Sequence, residues 1–265
     1  MNENTGTLVT EHTSRQSKGI SKAMILAAGL GTRLKPWTDN NPKALAIVNG
    51  KTLLQRNIEY LQQYGINEVV VNVHHFADMV KEAIDANNGW GSKVTVSDES
   101  DAVLETGGGI LNAATYLDGD EPFVVLNVDI LTDLNLASMM NYHLEKKPLA
   151  TLATSTRATS RYLLFDEGNN LCGWYNTKTG EELAGSEANL GLHNKPGVQA
   201  KAFSGVHIIE PSIFKLTNRS GKFSIIDLYM DLMGSNTIKS FDDSDSRFID
   251  VGKPENVEKA EAMFR

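Results

Sequence analysis

The stretch MILAAGLGTRLKP at residues 24–36, followed by Pro42-Lys43, decides the fold and directs the search for function. A short apolar run that ends in a glycine-rich turn is typical of a first β-strand with a ligand site at its carboxyl end. Glycines let backbone N–H groups approach a ligand closely, and Arg33 and Lys43 supply positive charges that suit a polyphosphate. The stretch therefore predicts a nucleoside triphosphate site after the first strand.

Two better-known glycine motifs do not fit this stretch. The dinucleotide fingerprint G-x-G-x-x-G needs glycine at its sixth position, which here is Leu34. The P-loop string G-x-x-x-x-G-K-[ST] does not occur in the chain. A bare G-x-G would indicate only a strand-to-helix turn. The prediction therefore depends on the longer pattern G-x-G-T-R-x-x-P, followed by Pro-Lys.

Composition and charge exclude several classes of protein. The chain has 265 residues, of which 41% are hydrophobic, and its formal net charge is −8. A negative charge argues against a nucleic-acid partner, because phosphate backbones require basic patches. Cys172 is the only cysteine, so an intramolecular disulfide is impossible and a reducing compartment fits. No apolar run approaches the roughly 18 residues of a membrane span, and polar residues 1–20 lack the apolar core of a signal peptide. We therefore expect a cytoplasmic protein with no membrane partner.

From Lys22 onward, short β-rich runs alternate with helical patterns. This alternation predicts an α/β fold, a Rossmann-like three-layer αβα sandwich with a mostly parallel mixed sheet. Residues 1–20 are expected to form a flexible extension and residues 21–265 a single domain. The predicted strands are 23–26, 68–73, 94–96, 123–127, 149–154, 162–165, 171–174, 203–209 and 248–251. The predicted helices are 53–61, 76–84, 107–116, 136–146, 225–233 and one from 254, and residues 176–200 are predicted to be a loop.

The pattern of residues 29–36 with Pro42-Lys43 resembles the signature of the sugar-1-phosphate nucleotidyltransferases. Three further segments extend the resemblance, in the family's order, from about residue 22 to the C terminus. LETGGGI at 104–110 is similar to the family's base-recognition segment, and LNVD at 126–129 is similar to the segment that carries its first metal-binding aspartate. FIDVG at 248–252, followed by Asn256, is similar to the closing motif that carries its second metal-binding aspartate. ETGGGI, together with FSGVH at 203–207, is most similar to the N-acetylmuramate-1-phosphate uridylyltransferase branch.

The resemblance implies roles for individual residues. Arg33 and Lys43 are the expected catalytic cations, and Asp129 and Asp250 are the expected ligands of Mg²⁺. The expected nucleotide contacts are Leu26, Ala27, Ala28, Gly29, Gly31, Thr32, Arg33, Lys43, Glu105, Gly107 and Asn127. The expected sugar-phosphate contacts, implied by the resemblance alone, are Gly173, Ser204 and Gly205, within a sugar-binding part at about 149–240.

The reaction that the resemblance implies is attack of a sugar 1-phosphate on the α-phosphorus of a nucleoside triphosphate, with release of pyrophosphate. We expect UTP and N-acetylmuramate 1-phosphate as substrates, Mg²⁺ as cofactor, and a monomer or small homo-oligomer. One alternative is guanylyl or other nucleotidyl transfer to a heptose, mannose or glucose 1-phosphate. Another is a regulatory nucleotide-sugar-binding protein with a lapsed active site. Only Val128 supports it, because the family has glycine there and a β-branched side chain would crowd the nucleotide if glycine's backbone angles were required.

Overall fold

The computed structural model describes residues 19–184 and 191–265, so all but the last two residues of the predicted extension lie outside the described part. The strands are β1 (Lys22–Leu26), β2 (Ile47–Val48), β3 (Lys51–Thr52), β4 (Glu68–Val73), β5 (Lys93–Asp98), β6 (Phe123–Asn127), β7 (Ile130–Thr132), β8 (Ala150–Ser155), β9 (Arg161–Phe165), β10 (Leu171–Asn176), β11 (Glu182–Ala184), β12 (Gln199–Ile209), β13 (Ile238–Asp242) and β14 (Phe248–Asp250). The α-helices are α1 (Leu53–Gln62), α2 (Ala77–Ala86), α3 (Glu105–Asn112), α4 (Ala114–Leu117), α5 (Leu136–Lys146), α6 (Ile225–Leu232) and α7 (Pro254–Met263).

A mixed sheet runs through the centre of the molecule in the order β11-β10-β9-β12-β6-β1-β4-β5, and β8 pairs with β12 and β13. Strand β1 is parallel to β4 and β6, and β4 is parallel to β5. Strand β12 runs antiparallel to β6, β8 and β9, which extends the sheet on the other side. The predicted α/β fold with a mixed sheet is confirmed, and its parallel half contains the glycine-rich loop.

Alternating side chains of β1 build two hydrophobic cores, one on each face of the sheet. Ile25 packs into the first core with Ile58 of α1. Met24 packs into the second core with Ile110 of α3 and Leu228 of α6. Because successive side chains of a strand point to opposite faces, helices cover both sides and the three-layer prediction holds. No helix among the described residues is long and apolar enough to span a membrane.

The strand register gathers the candidate site at one edge of the sheet. Leu26, the last residue of β1, is paired with Asn72 of β4 on one side and with Asn127 of β6 on the other. Asp129 lies two residues beyond the end of β6, and the antiparallel pairing of β14 with β7 places Asp250 opposite Ile130. The two predicted metal aspartates therefore meet at the carboxyl ends of parallel strands, where ligands gather in open α/β sheets.

The structure differs from the sequence prediction at several connections. The predicted loop 176–200 contains β11 and the start of β12. The helix predicted for 107–116 is interrupted at Ala113, which separates α3 from α4. Strands β7 and β13 were not predicted: β7 has only three residues, and both strands pair with segments distant in the chain. The predicted hairpin between β9 and β10 is confirmed, with Asn169 in the left-handed conformation of its turn at φ 59°.

Candidate active site

The loop after β1 folds tightly over Lys43. Gly31 has φ 63°, in the left-handed region that favours glycine. A Cβ on Gly31 would lie 2.9 Å from Thr38 Cγ2 and 3.1 Å from Lys43 Cβ, so no side chain fits there. The Thr38 hydroxyl donates a hydrogen bond to the Gly31 carbonyl oxygen at 2.9 Å. A Cβ on Gly29 would lie 3.8 Å from Lys43 Nζ, which shows that the ammonium group faces the loop backbone.

The two predicted cations and the two predicted aspartates form one charged cluster. Lys43 Nζ donates a hydrogen bond to Asp129 Oδ2 at 2.7 Å. The Arg33 guanidinium lies 3.7 Å from Asp129 Oδ2 and donates to Asp250 Oδ2 at 3.1 Å. Asp129 is 7% exposed, whereas the Arg33 side chain is 54% exposed. The cluster thus extends from a buried carboxylate to an open, solvated guanidinium, which is the side from which a polyphosphate can enter.

The closing motif of the sequence holds Asp250 in place. The Gly252 N–H donates to Asp250 Oδ1 at 2.7 Å, and the Asn256 side-chain amide donates to the Asp250 carbonyl oxygen at 2.7 Å. A Cβ on Gly252 would lie 2.5 Å from Arg33 Nη2. The glycine therefore leaves room for the guanidinium, and the asparagine fixes the backbone that presents the carboxylate.

Val128 causes none of the crowding that the sequence suggested. Its side chain is fully buried in the first hydrophobic core, and its backbone lies outside the left-handed region. The Val128 N–H donates to the Leu26 carbonyl oxygen at 3.1 Å, and the Asn57 amide of α1 donates to the Val128 carbonyl oxygen at 2.9 Å. The turn that carries Asp129 is therefore held from both sides without a glycine.

A cleft of about 530 Å³ opens beside the charged cluster. Most of the predicted nucleotide contacts line it, namely Leu26, Ala28, Gly29, Gly31, Thr32, Lys43, Glu105 and Asn127, together with Asp129. Residues that the sequence reasoning missed also line it, namely Leu30, Asn72, Val103, Thr106, Lys222 and Ser224. Ala27, Arg33 and Gly107 are not among the lining residues. The glycine-rich loop after β1 and the predicted base-recognition segment thus line the same cleft.

The glycine triplet 107–109 serves close packing of α3. A Cβ on Gly107 would lie 2.4 Å from the ring of Phe223, and one on Gly108 would lie 2.1 Å from the Gly221 carbonyl oxygen. The Gly107 N–H donates to the Phe223 carbonyl oxygen at 2.9 Å. The space over Gly107 is thus occupied by Phe223. Glu105, at the start of α3, has φ 59° and lies 3.4 Å from Lys222 Nζ, at the mouth of the cleft.

Asn72 and Glu99 form a buried pair behind the glycine-rich loop that follows β1. The Ala27 N–H donates to Asn72 Oδ1 at 2.7 Å, and Asn72 Nδ2 donates to Glu99 Oε1 at 2.9 Å. Both residues are at most 4% exposed, and burial raises the pKa of the Glu99 carboxyl. Because Glu99 fixes the orientation of the Asn72 amide, the pair fixes the backbone of Ala27. The signal in the sequence was a polar residue that interrupts the valine run of β4 next to β1.

The predicted sugar-phosphate contacts are only partly brought together. Gly205 has φ 73°, and a Cβ there would lie 2.8 Å from Asn127 Nδ2, so β12 passes close to the nucleotide cleft. Ser204 precedes it and is 1% exposed. Gly173 lies on β10, two strands away from β12, and a Cβ there would lie 2.8 Å from the Leu183 carbonyl oxygen. Gly205 therefore borders Asn127, the buried Ser204 side chain lies beside Asp243, and Gly173 supports the packing of β11.

The two aspartates suit a hard metal ion that binds together with the nucleotide. Within residues 19–184 and 191–265, no cluster of three or more His, Cys, Asp or Glu side chains could hold a metal. Mg²⁺ typically uses one or two carboxylates and takes its remaining ligands from substrate phosphates and water. Asp129 and Asp250, beside Arg33 and Lys43, fit that donor set.

Comparisons with known proteins agree with this geometry. The family model described as Nucleotidyl transferase matches residues 22–263. N-acetylmuramate alpha-1-phosphate uridylyltransferase of Caulobacter vibrioides is 29% identical over 244 residues, which is 91% of this chain and 96% of that protein. The protein of the same name from Neisseria meningitidis serogroup B is 40% identical over 117 residues, 44% of this chain and 50% of that protein. The crystal structure of HddC from Yersinia pseudotuberculosis complexed with GMP-PN is 25% identical, with a TM-score of 0.70, and the match covers 93% of this chain and 100% of that chain.

Proposed function

The chain belongs to the nucleotidyl transferase family, its relatives support nucleotidyl transfer to a sugar 1-phosphate, and we propose that the substrates are UTP and N-acetylmuramate 1-phosphate. The observation that carries the proposed chemistry is the cluster of Arg33, Lys43, Asp129 and Asp250 at the carboxyl edge of the sheet. The names of the similar proteins from Caulobacter and Neisseria support this choice of substrates.

The acceptor phosphate needs no general base, because a phosphate monoester has a second pKa of about 6 and is mostly ionised at neutral pH. One of its oxygens forms a bond to the α-phosphorus of UTP while the bond from that phosphorus to pyrophosphate breaks. The barrier lies in bringing two anions together and in stabilising charge on the pyrophosphate. Catalysis therefore depends on positioned positive charge.

Lys43 and Arg33 supply this charge from the two ends of the glycine loop. Lys43 Nζ lies between the loop and Asp129, so a small movement takes the ammonium from the carboxylate to an α-phosphate oxygen. Arg33 is exposed and offers a planar fork of donors to the β- and γ-phosphates. Backbone N–H groups of residues 29–32 bind further phosphate oxygens.

Asp129 and Asp250 are the residues that would hold Mg²⁺ during the reaction. When bound, the metal offsets the repulsion between the two substrates and orients the α-phosphate for in-line attack. Asp129→Asn and Asp250→Asn should therefore abolish turnover. Near-normal release of pyrophosphate by the double variant would overturn the metal scheme.

A panel of four nucleoside triphosphates with several sugar 1-phosphates, followed by pyrophosphate release, tests the substrates. We expect the highest kcat/KM with UTP and N-acetylmuramate 1-phosphate. Guanylyl transfer is the second candidate, because HddC was crystallised with GMP-PN. Highest activity with GTP and a heptose or mannose phosphate would establish that alternative. The proposal of a lapsed binding protein has lost its support, because Val128 points into the core.

A further inference from the structure

Arg157 lies beside the catalytic cluster on the side away from the glycine loop. It follows the end of β8, and its side chain is partly buried between β12 and β14. One Nη atom donates a hydrogen bond to the Phe203 carbonyl oxygen, and the guanidinium carbon lies 4.5 Å from the centre of the Phe248 ring. These two contacts fix the plane and the position of the guanidinium.

Both contacts place Arg157 next to residues of the site. Phe248 and Asp250 are two positions apart on β14, so their side chains lie on the same face of that strand. Phe203 directly precedes Ser204 and Gly205, and Gly205 borders Asn127. Arg157 therefore lies between the second metal aspartate and the strand that passes the nucleotide cleft.

The charge of Arg157 is only partly compensated. Asp250 is the carboxylate that acts on it most strongly, and Asp243 acts less. Asp250 already accepts hydrogen bonds from Arg33 and from the Gly252 N–H. Burial raises the pKa of Asp243, which favours its neutral form. Arg157 Nε is buried and has no hydrogen-bond partner among the described residues. Within the described part of the chain, the single hydrogen bond of the guanidinium is to the Phe203 carbonyl oxygen, and an anionic ligand would pair with the charge at the accessible part of this half-buried side chain.

We propose that Arg157 binds an anionic group of the acceptor substrate, either the phosphate of the sugar 1-phosphate or a carboxylate carried by the sugar. This inference rests on the proposed function. The reaction brings two anions together. Arg33 belongs to the loop after β1 that faces the triphosphate, and Lys43 lies against that loop. Arg157 is held instead by the Phe203 carbonyl oxygen of β12 and the Phe248 ring of β14, so each substrate has a cation of its own. The partly buried guanidinium also offers the fork of donors that matches a phosphate or carboxylate.

The test compares Arg157→Gln, Arg157→Lys and the wild type with two acceptors, N-acetylmuramate 1-phosphate, which carries a carboxylate, and N-acetylglucosamine 1-phosphate, which does not. We expect Arg157→Gln to raise the KM of the acceptor by at least about tenfold and to leave the KM of the nucleotide within about twofold. Arg157→Lys retains the charge and should recover part of the loss. The matched control Arg161→Gln removes an exposed arginine of β9 and should change neither KM.

The two acceptors distinguish the two anionic groups. A similar loss with both acceptors assigns the phosphate to Arg157, and a loss with N-acetylmuramate 1-phosphate alone assigns the carboxylate. An unchanged acceptor KM in Arg157→Gln, or an equal rise in the nucleotide KM, overturns the inference. If the wild type turns over no acceptor, the proposed function fails. Calorimetric titration of the wild type and Arg157→Gln with the same sugar phosphates then decides the inference, because equal binding by the two proteins, or no binding by the wild type, refutes it.

Discussion

At the scale of single residues, the site consists of oppositely charged side chains that come from distant positions in the chain and pair with one another. Lys43 and Asp129 are both largely buried, at 13% and 9% side-chain exposure, so each would be costly without the other. Arg33 and Asp250 are more open, at 54% and 37%, and their contact is correspondingly weaker. In the function that we propose, the inner pair positions the reacting groups, and the outer pair meets solvent and incoming substrate.

Lys43→Ala should lower kcat/KM by about 10²–10³-fold, because it removes a positioned charge from the transition state and leaves Asp129 with only the more distant Arg33 guanidinium. Pyrophosphate release at saturating Mg²⁺ measures this effect. Lys35→Ala is the matched control, since Lys35 belongs to the same loop but pairs with Asp39 at 2.8 Å on the surface. If the two variants lost activity equally, general electrostatic attraction rather than the position of Lys43 would explain the loss.

Glu99→Gln tests the buried pair behind the loop through its pH dependence. Burial raises the pKa of Glu99, so the folded state binds the proton more tightly than the unfolded chain does. Stability is therefore lost as the pH rises from about 4.3 through the raised pKa. The variant lacks this ionisation and can still accept a hydrogen bond from Asn72. In urea unfolding, the free energy of unfolding of the variant relative to that of the wild type should be higher at about pH 8 than at about pH 4.5.

The exposed carboxylate Glu258 on α7 provides the control for that experiment. The free energy of unfolding of Glu258→Gln should differ from that of the wild type by the same amount at both pH values. The same difference at both values for Glu99→Gln would mean that the ionisation of Glu99 does not act on folding.

At the scale of elements, two pairings of distant segments build the site. Strand β14 joins β7, which brings Asp250 to Asp129, and α3 packs against the segment 221–225, which closes the base side of the cleft. The resemblance implied that the motif LETGGGI takes part in base recognition. The structure shows that these glycines first allow the close approach of two chain segments, and that the cleft results from this packing.

Gly107→Ala should destabilise the protein by about 1–3 kcal/mol and raise the nucleotide KM. Alanine favours a helix over glycine by about 1 kcal/mol, but a Cβ 2.4 Å from the Phe223 ring forces α3 away from the segment 221–225. Thermal unfolding and initial rates measure the two effects. Adding Phe223→Leu should restore part of the stability.

Gly234→Ala is the matched glycine substitution, because a Cβ there meets nothing within 4 Å. It should leave both the melting temperature and the nucleotide KM near the wild-type values. An equal loss of stability in the two alanine variants would refute the packing role of Gly107.

At the scale of the whole molecule, the site lies where the two halves of the sheet meet. The parallel strands β6, β1, β4 and β5 supply the nucleotide loop and its supports, and the antiparallel strand β12 passes beside Asn127. The net charge of −8 gives no general attraction for anionic substrates. Binding must therefore come from the local cations, with the metal that we propose.

Mg²⁺ and UTP together should raise the melting temperature more than the sum of their separate effects. UTP alone draws Lys43 and Arg33 away from Asp129 and Asp250 and leaves two carboxylates uncompensated, whereas the metal replaces the lost charge. Thermal shift measurements with UTP, with Mg²⁺ and with both check this. In Asp129→Asn, the rise in melting temperature with UTP should depend less on Mg²⁺. EDTA should abolish turnover in the wild type. Additive shifts would contradict the coupling.

The sequence by itself determined the class of fold, most of the strands and helices, and the residues of the charged cluster. It did so because local periodicity specifies elements and because Arg33, Lys43, Asp129 and Asp250 lie in short, specific motifs. Only the tertiary structure decided that Asn72 and Glu99 hold the loop, that Phe223 fills the space over Gly107, and that Arg157 packs on the Phe248 ring, two residues from Asp250. Each of these depends on contacts between segments far apart in the chain, and such contacts leave no periodic pattern in either segment.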